Sequence, residues 1–413
     1  MNSDLLSDWL EYIDSNRPNE GDFGLERLQD IYPKILKKPI AKKIILVGGT
    51  NGKGTTVEYL NNFFLTAGYK VGTYTSPHLI KFNERIRLNN QHLDDKKIIN
   101  AFKLIDDLKK GIRLTYFDYA TLAAFNIFSN EDLDFVILEI GIGGKYDPVN
   151  LTNADLSIIT NIELDHEKWL GSSIEEIGSQ KAAILKEGKI AILGSQNMPK
   201  SVVEVAESNC SNVYQMNKDF KVEKNTLNWS YNFSQENLEV SSLSYGSLNS
   251  DAAGCAMTAF KILCEEEIDF RTIIKKTYLK GRCDVVDNFI LDVSHNPASV
   301  KNLISFLKKN YKDIQFSAIF AAMADKDISS IIKDISEVIS DWNICSIKDN
   351  RFDTDSMVQL TENLTHKKVN KSDSVYSAVY KGYMEGTPQI VFGSFITVSQ
   401  AYSALEKIKI ANR

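Results

Sequence analysis

The chain of 413 residues has no run of eighteen apolar residues, about the length that a membrane-spanning helix requires. Its first stretch, MNSDLLSDWLEYIDSN, is acidic and lacks the basic and apolar regions of a secretory signal. Nor is there a basic excess, since 48 lysines and arginines stand against 54 acidic residues, for a net charge of −6. We therefore expect a cytoplasmic protein with neither a membrane nor a nucleic-acid partner.

Cysteine is scarce and unpatterned. The five cysteines form neither a CxxC pair nor a Cys/His spacing typical of metal sites, and an odd number argues against a disulfide framework. They are Cys210, Cys255, Cys264, Cys283 and Cys345. Internal repeats of solenoid length and low-complexity tracts are also missing. With 43% hydrophobic residues, the chain can build two or three domains with their own cores.

What the chain does contain is an alternation of short apolar runs with segments of helical period, beginning with KKIILVGG at 42–49 and continuing through KVGTYT, DFVILEIG and LSIIT. This alternation is typical of an α/β fold with a mainly parallel sheet covered by helices. Between about 210 and 247, short polar and aromatic runs from NVYQM to LEVSSLSYG predict an insert of β-hairpins. A second alternation after LKGR at 279–282 predicts domains at 1–278 and 279–413, the second one smaller.

Chemically useful residues follow several of the predicted strands. In open parallel sheets, ligands bind outside the carboxyl ends of the strands. The loop GGTNGKGT at 48–55 follows the first strand and Ser76 follows the second, while Glu139 ends a third and His166 lies beyond a fourth. We therefore expect a phosphate loop, a hydroxyl, a carboxylate and an imidazole to share one edge of the sheet.

The glycine-rich loop predicts a nucleotide phosphate site. Its glycines let the backbone approach phosphate, the following helix offers N–H groups, and Lys53 can reach the terminal phosphates. The usual spacing, G-x-x-x-x-G-K-[ST], is broken by Gly54, which separates Lys53 from Thr55. A glycine-rich turn without a ligand is the less favoured alternative, because a strand precedes the loop and a helix follows it.

Glu139 ends FVILE, a run that otherwise predicts a fully buried strand. A buried carboxylate needs a partner, and Mg²⁺ held together with a hydroxyl and phosphate oxygens would supply one. A helix cap or a pair with a lysine is the alternative. For His166 a structural role and a ligand role remain equally open.

The segment SSIEEIGSQKAAILKEG predicts a helix over 174–187, with Ser173 and Glu176 as a capping box and Gly188 as its stop. Its apolar stripe is completed by Lys181. On an apolar face, a lysine either extends to the edge or directs its amine into a site, and we favour the site.

In the second half, FILDVSHNP at 289–297 is again a strand that leads into a helix, and it places Asp292 and His295 where they could face a ligand. Helix capping is the alternative for such loop residues. Asp325 and Ser394 also follow predicted strands.

Together these stretches resemble the folylpolyglutamate synthase and dihydrofolate synthase family of the Mur ligase superfamily. The matching pieces follow one another along nearly the whole chain: FGLER at 23–27, GTNGKGT at 49–55, TSPHL at 75–79, NERI at 83–86, EIGIGGKYDPVN at 139–150, LDH at 164–166, SQKAAILK at 179–186, KGR at 280–282, LDVSHNP at 291–297, DKD at 325–327 and VFGSF at 391–395. One such match is weak, whereas ten or more in the right order are strong.

The resemblance implies a P-loop-like ATPase domain and a smaller Rossmann-like C-terminal domain. It also implies an ATP- and Mg²⁺-dependent ligase whose acceptor carboxylate takes the γ-phosphoryl group of ATP. L-Glutamate then displaces phosphate from the acyl phosphate. The acceptor would be dihydropteroate, a reduced folate or both, and we favour a bifunctional, monomeric enzyme.

The resemblance assigns roles to individual residues. Lys53, Lys181 and His166 would be catalytic, and Lys181 stands where the family has a lysine that can be carbamylated. The expected metal ligands are Thr55, Ser76, Glu139 and His166. The expected ATP contacts are Gly49, Thr50, Asn51, Gly52, Lys53, Gly54, Thr55, Asn249, Arg282, Asp292 and His295. The expected substrate contacts are Phe23, Leu25, Arg27, Pro77, His78, Arg85, Asp325 and Ser394.

The sequence departs from the family pattern in several places. Leu248 and Asp251 stand where a histidine and an asparagine are usual, and Lys145 stands where an arginine is common. An insert at 15–21 precedes the FGLER stretch. These departures bear on the ATP contacts and on the pterin side of the site.

Three other functions are alternatives to this one. A cell-wall Mur ligase would need a nucleotide-sugar domain before the loop, and too few residues precede Gly48 to form one. A monofunctional folylpolyglutamate synthase remains an alternative, because both kinds of enzyme contain the SPHL and GLER stretches. A catalytically inactive nucleotide-binding regulator is suggested by Leu248 and Asp251, and opposed by the retention of Lys53, Glu139, His166 and Lys181 together.

Overall fold

The computed structural model describes residues 1, 3–18 and 24–411. The chain divides into two compact units, Met1–Thr277 and Tyr278–Arg413. Within the described ranges, no helix is both long and apolar enough to cross a membrane.

The first unit is built on an eight-stranded sheet with the order β4-β3-β2-β5-β1-β6-β7-β8. Its strands are β1 (Lys43–Gly48), β2 (Val71–Tyr74), β3 (Ile86–Leu88), β4 (Gln91–His92), β5 (Phe135–Glu139), β6 (Leu156–Ile159), β7 (Ile190–Leu193) and β8 (Asn212–Gln215). The six strands from β2 to β8 in this order run parallel, and β3 and β4 extend the sheet as an antiparallel edge. The predicted α/β class is confirmed.

Helices cover this sheet because its central strands β2, β5 and β6 are buried along their whole length. Their bounds are α1 (Leu6–Ser15), α2 (Glu26–Gln29), α3 (Tyr32–Ile35), α4 (Lys53–Thr66), α5 (Asp95–Leu108), α6 (Tyr116–Phe128), α7 (Glu167–Leu170), α8 (Ile174–Ala182), α9 (Lys200–Asn209), α10 (Ser250–Leu263) and α11 (Phe270–Lys276). Every residue of β5 is buried, and the ring of Phe64 on α4 stacks on Phe135 with centroids 3.9 Å apart. The helix that follows the glycine loop is thereby fixed to the middle of the sheet.

A separate antiparallel sheet of three strands follows, formed by β9 (Lys221–Lys224), β10 (Asn228–Phe233) and β11 (Leu238–Ser244). In β10 every second residue is buried, which is the pattern of a strand with one covered face. The hairpin interpretation was wrong for NVYQ, since Asn212–Gln215 pairs in parallel with Ile190–Leu193 as the last strand of the large sheet. Its pairing partner, β7, begins 22 residues earlier in the chain, so the sequence around NVYQ does not indicate which strand it joins.

The helix predicted over 174–187 ends at Ala182. The next two carbonyl groups are bound by side chains from other elements instead of helical N–H groups. Asn150 donates to the carbonyl of Ala183 at 3.2 Å, and Ser157 donates to that of Ile184 at 2.8 Å. Gly188, with a φ of +68°, lies in the later turn before β7.

The second unit contains a six-stranded sheet with the order β12-β13-β17-β14-β15-β16. Its strands are β12 (Asp284–Val286), β13 (Phe289–Leu291), β14 (Phe316–Phe320), β15 (Ile339–Cys345), β16 (Val369–Ser372) and β17 (Gln389–Phe392). Its helices are α12 (Pro297–Asn310), α13 (Ile328–Ile335), α14 (Thr354–Thr365), α15 (Val375–Glu385) and α16 (Phe395–Ala411). All pairs are parallel except β12 with β13, and β16 is an edge strand that the sequence had not indicated.

Candidate active site

The loop between β1 and α4 is held by hydrogen bonds to the residues that follow β6. Gly49 and Gly52 have φ values of +129° and +85°, which glycine adopts without strain. The N–H of Thr50 donates to the carbonyl of Asn161 at 2.9 Å, and the N–H of Asn51 donates to Oδ1 of Asn161 at 2.8 Å. Thr160 Oγ1 donates to the carbonyl of Asn51 at 2.7 Å. The loop therefore takes its shape from the residues that follow β6.

Two lysines converge on this loop. Lys53, the first residue of α4, directs Nζ to the carbonyl oxygens of Gly49 and Thr50 at 3.2 and 3.1 Å. Lys181 on α8 directs Nζ to the same Gly49 carbonyl at 2.9 Å. Together with the N-terminus of α4, these ammonium groups make the loop suited to a polyanion such as a nucleotide phosphate.

Lys181 is 4% exposed, so the lysine predicted on the apolar face of α8 is buried. Burial lowers the pKa of its amine to about 7, and the charge of Lys53 acts in the same direction. Asp165 and Asp147 oppose this shift. A lysine near half-protonation at neutral pH is chemically unlike a surface lysine, because its neutral form is a nucleophile.

Glu139 lies at the end of β5, beside Val47 of β1 in the sheet register. It is 5% exposed, and its Oε2 accepts a hydrogen bond from the N–H of Ser76 at 3.0 Å. The structure thus brings together two of the predicted metal ligands, the residues after β2 and at the end of β5. Thr55, on the first turn of α4, is 4% exposed.

His166 follows β6 and directly precedes α7, with a φ of +54°. Its N–H donates to Oδ1 of Asp165 at 2.8 Å, and its Nε2 lies 4.0 Å from Oδ2 of the same carboxylate. In the parts of the chain that the structure describes, no three His, Cys, Asp or Glu side chains form a group able to hold a metal. Hydroxyl and carboxylate oxygens at an open edge nevertheless fit Mg²⁺, which keeps water and phosphate oxygens among its ligands.

The segment after β2 supplies a second cluster. His78 is half-buried, Pro77 is exposed, and Arg85 is 7% exposed. Arg85 Nε donates to His78 Nδ1 at 2.8 Å, and its guanidinium lies over the rings of Phe82 and Tyr116, at 5.7 and 5.4 Å from their centroids. Burial lowers the pKa of His78 to about 4, with the charge of Arg85 in support.

Known proteins resemble this chain along nearly its whole length. The sequence profile of the Mur ligase middle domain matches residues 47–256. A dihydrofolate synthase/folylpolyglutamate synthase of Buchnera aphidicola subsp. Schizaphis graminum is 33% identical over 411 residues, 97% of each chain. The enzyme of the same name from Escherichia coli is 32% identical over 407 residues, covering 97% of this chain and 96% of its own. The chain belongs to the dihydrofolate synthase/folylpolyglutamate synthase family.

Solved structures of this family superpose closely on the chain. E. coli FolC in complex with DHPP and ADP has a TM-score of 0.92 at 29% identity, with 99% of this chain and all of that one covered. A bifunctional folylpolyglutamate synthase/dihydrofolate synthase with Mn, AMPPNP and L-glutamate bound has a TM-score of 0.86 at 32% identity, with 97% and 98% covered. Members of the family are ATP-dependent amide-forming ligases that use a divalent metal.

The residues at which this chain departs from the family pattern are packed or paired within the protein. Leu248 is buried, and Asp251 pairs with Lys224 on β9 at 2.7 Å. Asn249 caps α10, its Oδ1 accepting from the N–H groups of Asp251 and Ala252 at 2.7 and 3.4 Å. Since Ala252 is also the nearest contact for a side chain at Gly52, the start of α10 lies beside the phosphate loop.

The GLER stretch contributes a buried ion pair. Arg27 on α2 donates to both oxygens of Asp118, from Nε at 2.9 Å and from a terminal nitrogen at 3.2 Å. Asp118, on α6, is completely buried. Leu25 is the residue before α2. Phe23, the remaining predicted substrate contact of this stretch, lies outside the described residues.

Asp147 is the site residue that sequence reasoning missed. Its carboxylate accepts from the N–H groups of Gly141, Ile142 and Val149 at 2.8, 3.2 and 2.9 Å, so it shapes the loop after Glu139. Burial raises its pKa to about 7 despite these bonds. An aspartate directly before proline has the composition of an ordinary turn, which concealed it.

In the second unit, the predicted residues lie at the carboxyl ends of the strands but differ in exposure. Asp292 is 4% exposed and accepts from the N–H groups of Cys283 and Ser294 at 2.8 Å each. Ser394 is 3% exposed and accepts from the N–H of Thr397 at 3.0 Å. Both hold loops in place, whereas the side chain of Asp325 is 62% exposed.

Arg282 and His295 share one aromatic neighbour. The guanidinium of Arg282 lies over the ring of Phe395 at 5.4 Å from its centroid, and the His295 ring lies 6.3 Å from the same ring. His295 Nδ1 is 2.9 Å from the carbonyl of Val293. The first residue of α16 therefore joins the KGR and SHNP loops.

Proposed function

We propose that the protein joins L-glutamate to dihydropteroate and to reduced folates in an ATP-dependent reaction with an acyl-phosphate intermediate. The observation that carries the proposal is the convergence of Lys53 and Lys181 on the Gly49 carbonyl, beside the buried Glu139. This is a site for phosphoryl transfer. The choice of acceptors follows the names of the relatives that match along 97% of the chain.

Transfer of the γ-phosphoryl group requires neutralisation of its charge and alignment of the attacking carboxylate. The N–H groups of Thr50 and Asn51 already donate to Asn161, so the phosphates are bound by the remaining N–H groups of the loop and of the first turn of α4, together with Lys53 and Thr55. Gly49, Asn51, Gly52 and Gly54 allow the backbone to approach the phosphates closely. Lys53 leaves the loop carbonyls to do so. No protein nucleophile is needed, since the acceptor carboxylate itself attacks phosphorus and ADP leaves; the amine of glutamate then displaces phosphate.

Thr55, Ser76, Glu139 and His166 are the residues that would hold Mg²⁺. When bound, the ion neutralises phosphate charge. The residues fit it because Glu139 is a buried carboxylate at the end of β5, and the hydroxyls of Thr55 and Ser76 offer further hard oxygen ligands.

Lys181 is proposed to act as a carbamate. Its neutral amine adds to CO₂, forming an N–C bond and releasing one proton, and the pKa of about 7 supplies that neutral form at physiological pH. The product is an anion in place of a buried cation. The positive charge of Lys53 then offsets the cost of burying this anion, whereas it adds to the cost of burying an ammonium group.

Residues 1–278 are proposed to form the ATP-binding domain, and residues 279–413 are proposed to form the glutamate ligase domain. Arg282, Asp292 and His295 would contact ATP, while Asp325 and Ser394 would contact substrate. Leu25, Arg27, Pro77 and His78 are proposed to border the acceptor. The protein is proposed to act as a cytoplasmic monomer.

An ADP-release assay with dihydropteroate and with tetrahydrofolate, each with and without L-glutamate, tests this function. We expect glutamate-dependent release with both acceptors. Release with tetrahydrofolate alone would replace the bifunctional proposal with a monofunctional folylpolyglutamate synthase. A protein that binds ATP but releases no ADP with either acceptor would be the regulator that Leu248 and Asp251 had suggested.

A further inference from the structure

Arg85 was expected to contact substrate, yet its contacts are with the protein. The guanidinium lies over the rings of Phe82 and Tyr116, Nε donates to His78 Nδ1 at 2.8 Å, and the residue is 7% exposed. A cation enclosed in this way has little surface left for a ligand. His78, in contrast, is only half-buried.

The bond between the two side chains fixes where the imidazole proton lies. Arginine has five N–H donors and no acceptor, so Nδ1 of His78 must accept. An imidazole whose Nδ1 accepts is uncharged and has its proton on Nε2. His78 therefore carries a single N–H donor with a defined direction.

The residue before Arg85 holds the backbone of the same loop. Glu84 accepts from the N–H groups of Leu79, Ile80 and Lys81 at 2.7, 2.8 and 2.7 Å. One short turn, Phe82–Arg85, thus sets both the path of the loop and the tautomer of its histidine.

We propose that Arg85 is a positioning residue that holds His78 as an uncharged Nε2–H donor to a neutral acceptor atom of the substrate, a carbonyl oxygen or a ring nitrogen of its heteroaromatic part. This inference rests on the proposed function and names the group that would recognise the acceptor substrate.

Four variants test the proposal by steady-state kinetics with dihydropteroate. His78→Leu removes the donor, His78→Gln keeps an N–H near the Nε2 position, Arg85→Met removes the brace, and Arg85→Lys keeps a donor to Nδ1. We expect the KM for dihydropteroate to rise roughly three- to tenfold in His78→Leu and Arg85→Met, the loss of one neutral hydrogen bond. His78→Gln and Arg85→Lys should stay within about twofold, as should kcat and the KM values for ATP and glutamate in all four.

A spectroscopic measurement is independent of turnover. The chain has five histidines, so the ¹⁵N shifts of imidazole-labelled protein can be assigned by loss of one signal in His78→Gln. We expect the Nε2–H tautomer for His78 in the parent protein and a tautomer mixture in Arg85→Met. An Nδ1–H or doubly protonated His78 in the parent protein would overturn the proposal, as would equal KM values in His78→Leu and His78→Gln. Absence of ADP release with a correct tautomer would instead fault the proposed function.

Discussion

Substitution of Gly49 by alanine probes the close packing on which the phosphate loop depends. A Cβ at this position would lie 2.0 Å from Thr160 Oγ1, 3.0 Å from the Thr160 nitrogen and 3.1 Å from the Asn161 carbonyl oxygen. The φ of +129° adds backbone strain of about 1–3 kcal/mol. Displacing Thr160 would also lose its hydrogen bonds to the carbonyls of Asn51 and Gly48, at about 0.5–1.5 kcal/mol each. The total is roughly 2–6 kcal/mol.

Gly68→Ala is the matched control. Gly68 also has a positive φ, +90°, but a Cβ there would meet nothing within 4 Å, so only the backbone strain of about 1–2 kcal/mol applies. At roughly 2 °C per kcal/mol for a unit of this size, we expect thermal unfolding to fall by about 4–12 °C in Gly49→Ala and about 2–4 °C in Gly68→Ala. ATP affinity should fall only in the former. Equal melting temperatures and equal ATP affinities in the two variants would refute the packing argument.

Three further predictions follow from other buried contacts. In CO₂-free buffer, where the Lys181 amine is not carbamylated, Lys181→Met should stabilise the protein most below pH 7. The reason is that the pKa of Lys181 is lowered to about 7 in the fold, whereas the unfolded chain keeps the extra proton up to about pH 10.5. Urea unfolding should show this gain in stability shrinking as the pH rises from 7 toward 10, and a constant gain would contradict the prediction. Arg27→Met should lower the free energy of unfolding, measured in urea, by about 3–5 kcal/mol, because it leaves the buried carboxylate of Asp118 without its cation. The double variant that adds Asp118→Asn should recover part of that loss, and no recovery would argue against the ion pair. Phe395→Leu should raise the KM for ATP severalfold, because it removes the aromatic ring under Arg282 and with it a cation–π interaction of about 0.5–2 kcal/mol. Phe395→Tyr keeps the ring and should not raise the KM. Equal KM values in the two variants would show that this ring does not support Arg282.

The strand ends were the part of the site that the sequence predicted best. The carboxyl ends of parallel strands lie at one edge of the sheet, so the order of apolar runs was enough to predict Glu139 near the phosphate loop. The register of β1 with β5, in which Val47 lies beside Glu139, agrees with this. The burial of Lys181 was likewise readable, because helical spacing assigns a residue to a face before any partner is known.

Features set by distant contacts were not predictable. Local signals placed the end of α8 at Gly188, but side chains from elsewhere bind the carbonyls at 183 and 184 and end the helix at Ala182. Strand β16 has the polar sequence VNKS and lies at a sheet edge, where few positions need to be apolar. The engagement of Arg85 by His78 and two rings depends on tertiary geometry that a motif does not encode.

The central claim is that the lysine-lined loop activates a carboxylate for amide formation with glutamate. Mass analysis of a reaction containing dihydropteroate, ATP, Mg²⁺ and L-glutamate tests it most directly, with Lys53→Met as the comparison. We expect an acceptor heavier by one glutamyl residue, formed in step with ADP by the parent protein and not by the variant. ADP formed without a glutamylated product, or the product formed equally by Lys53→Met, would contradict it.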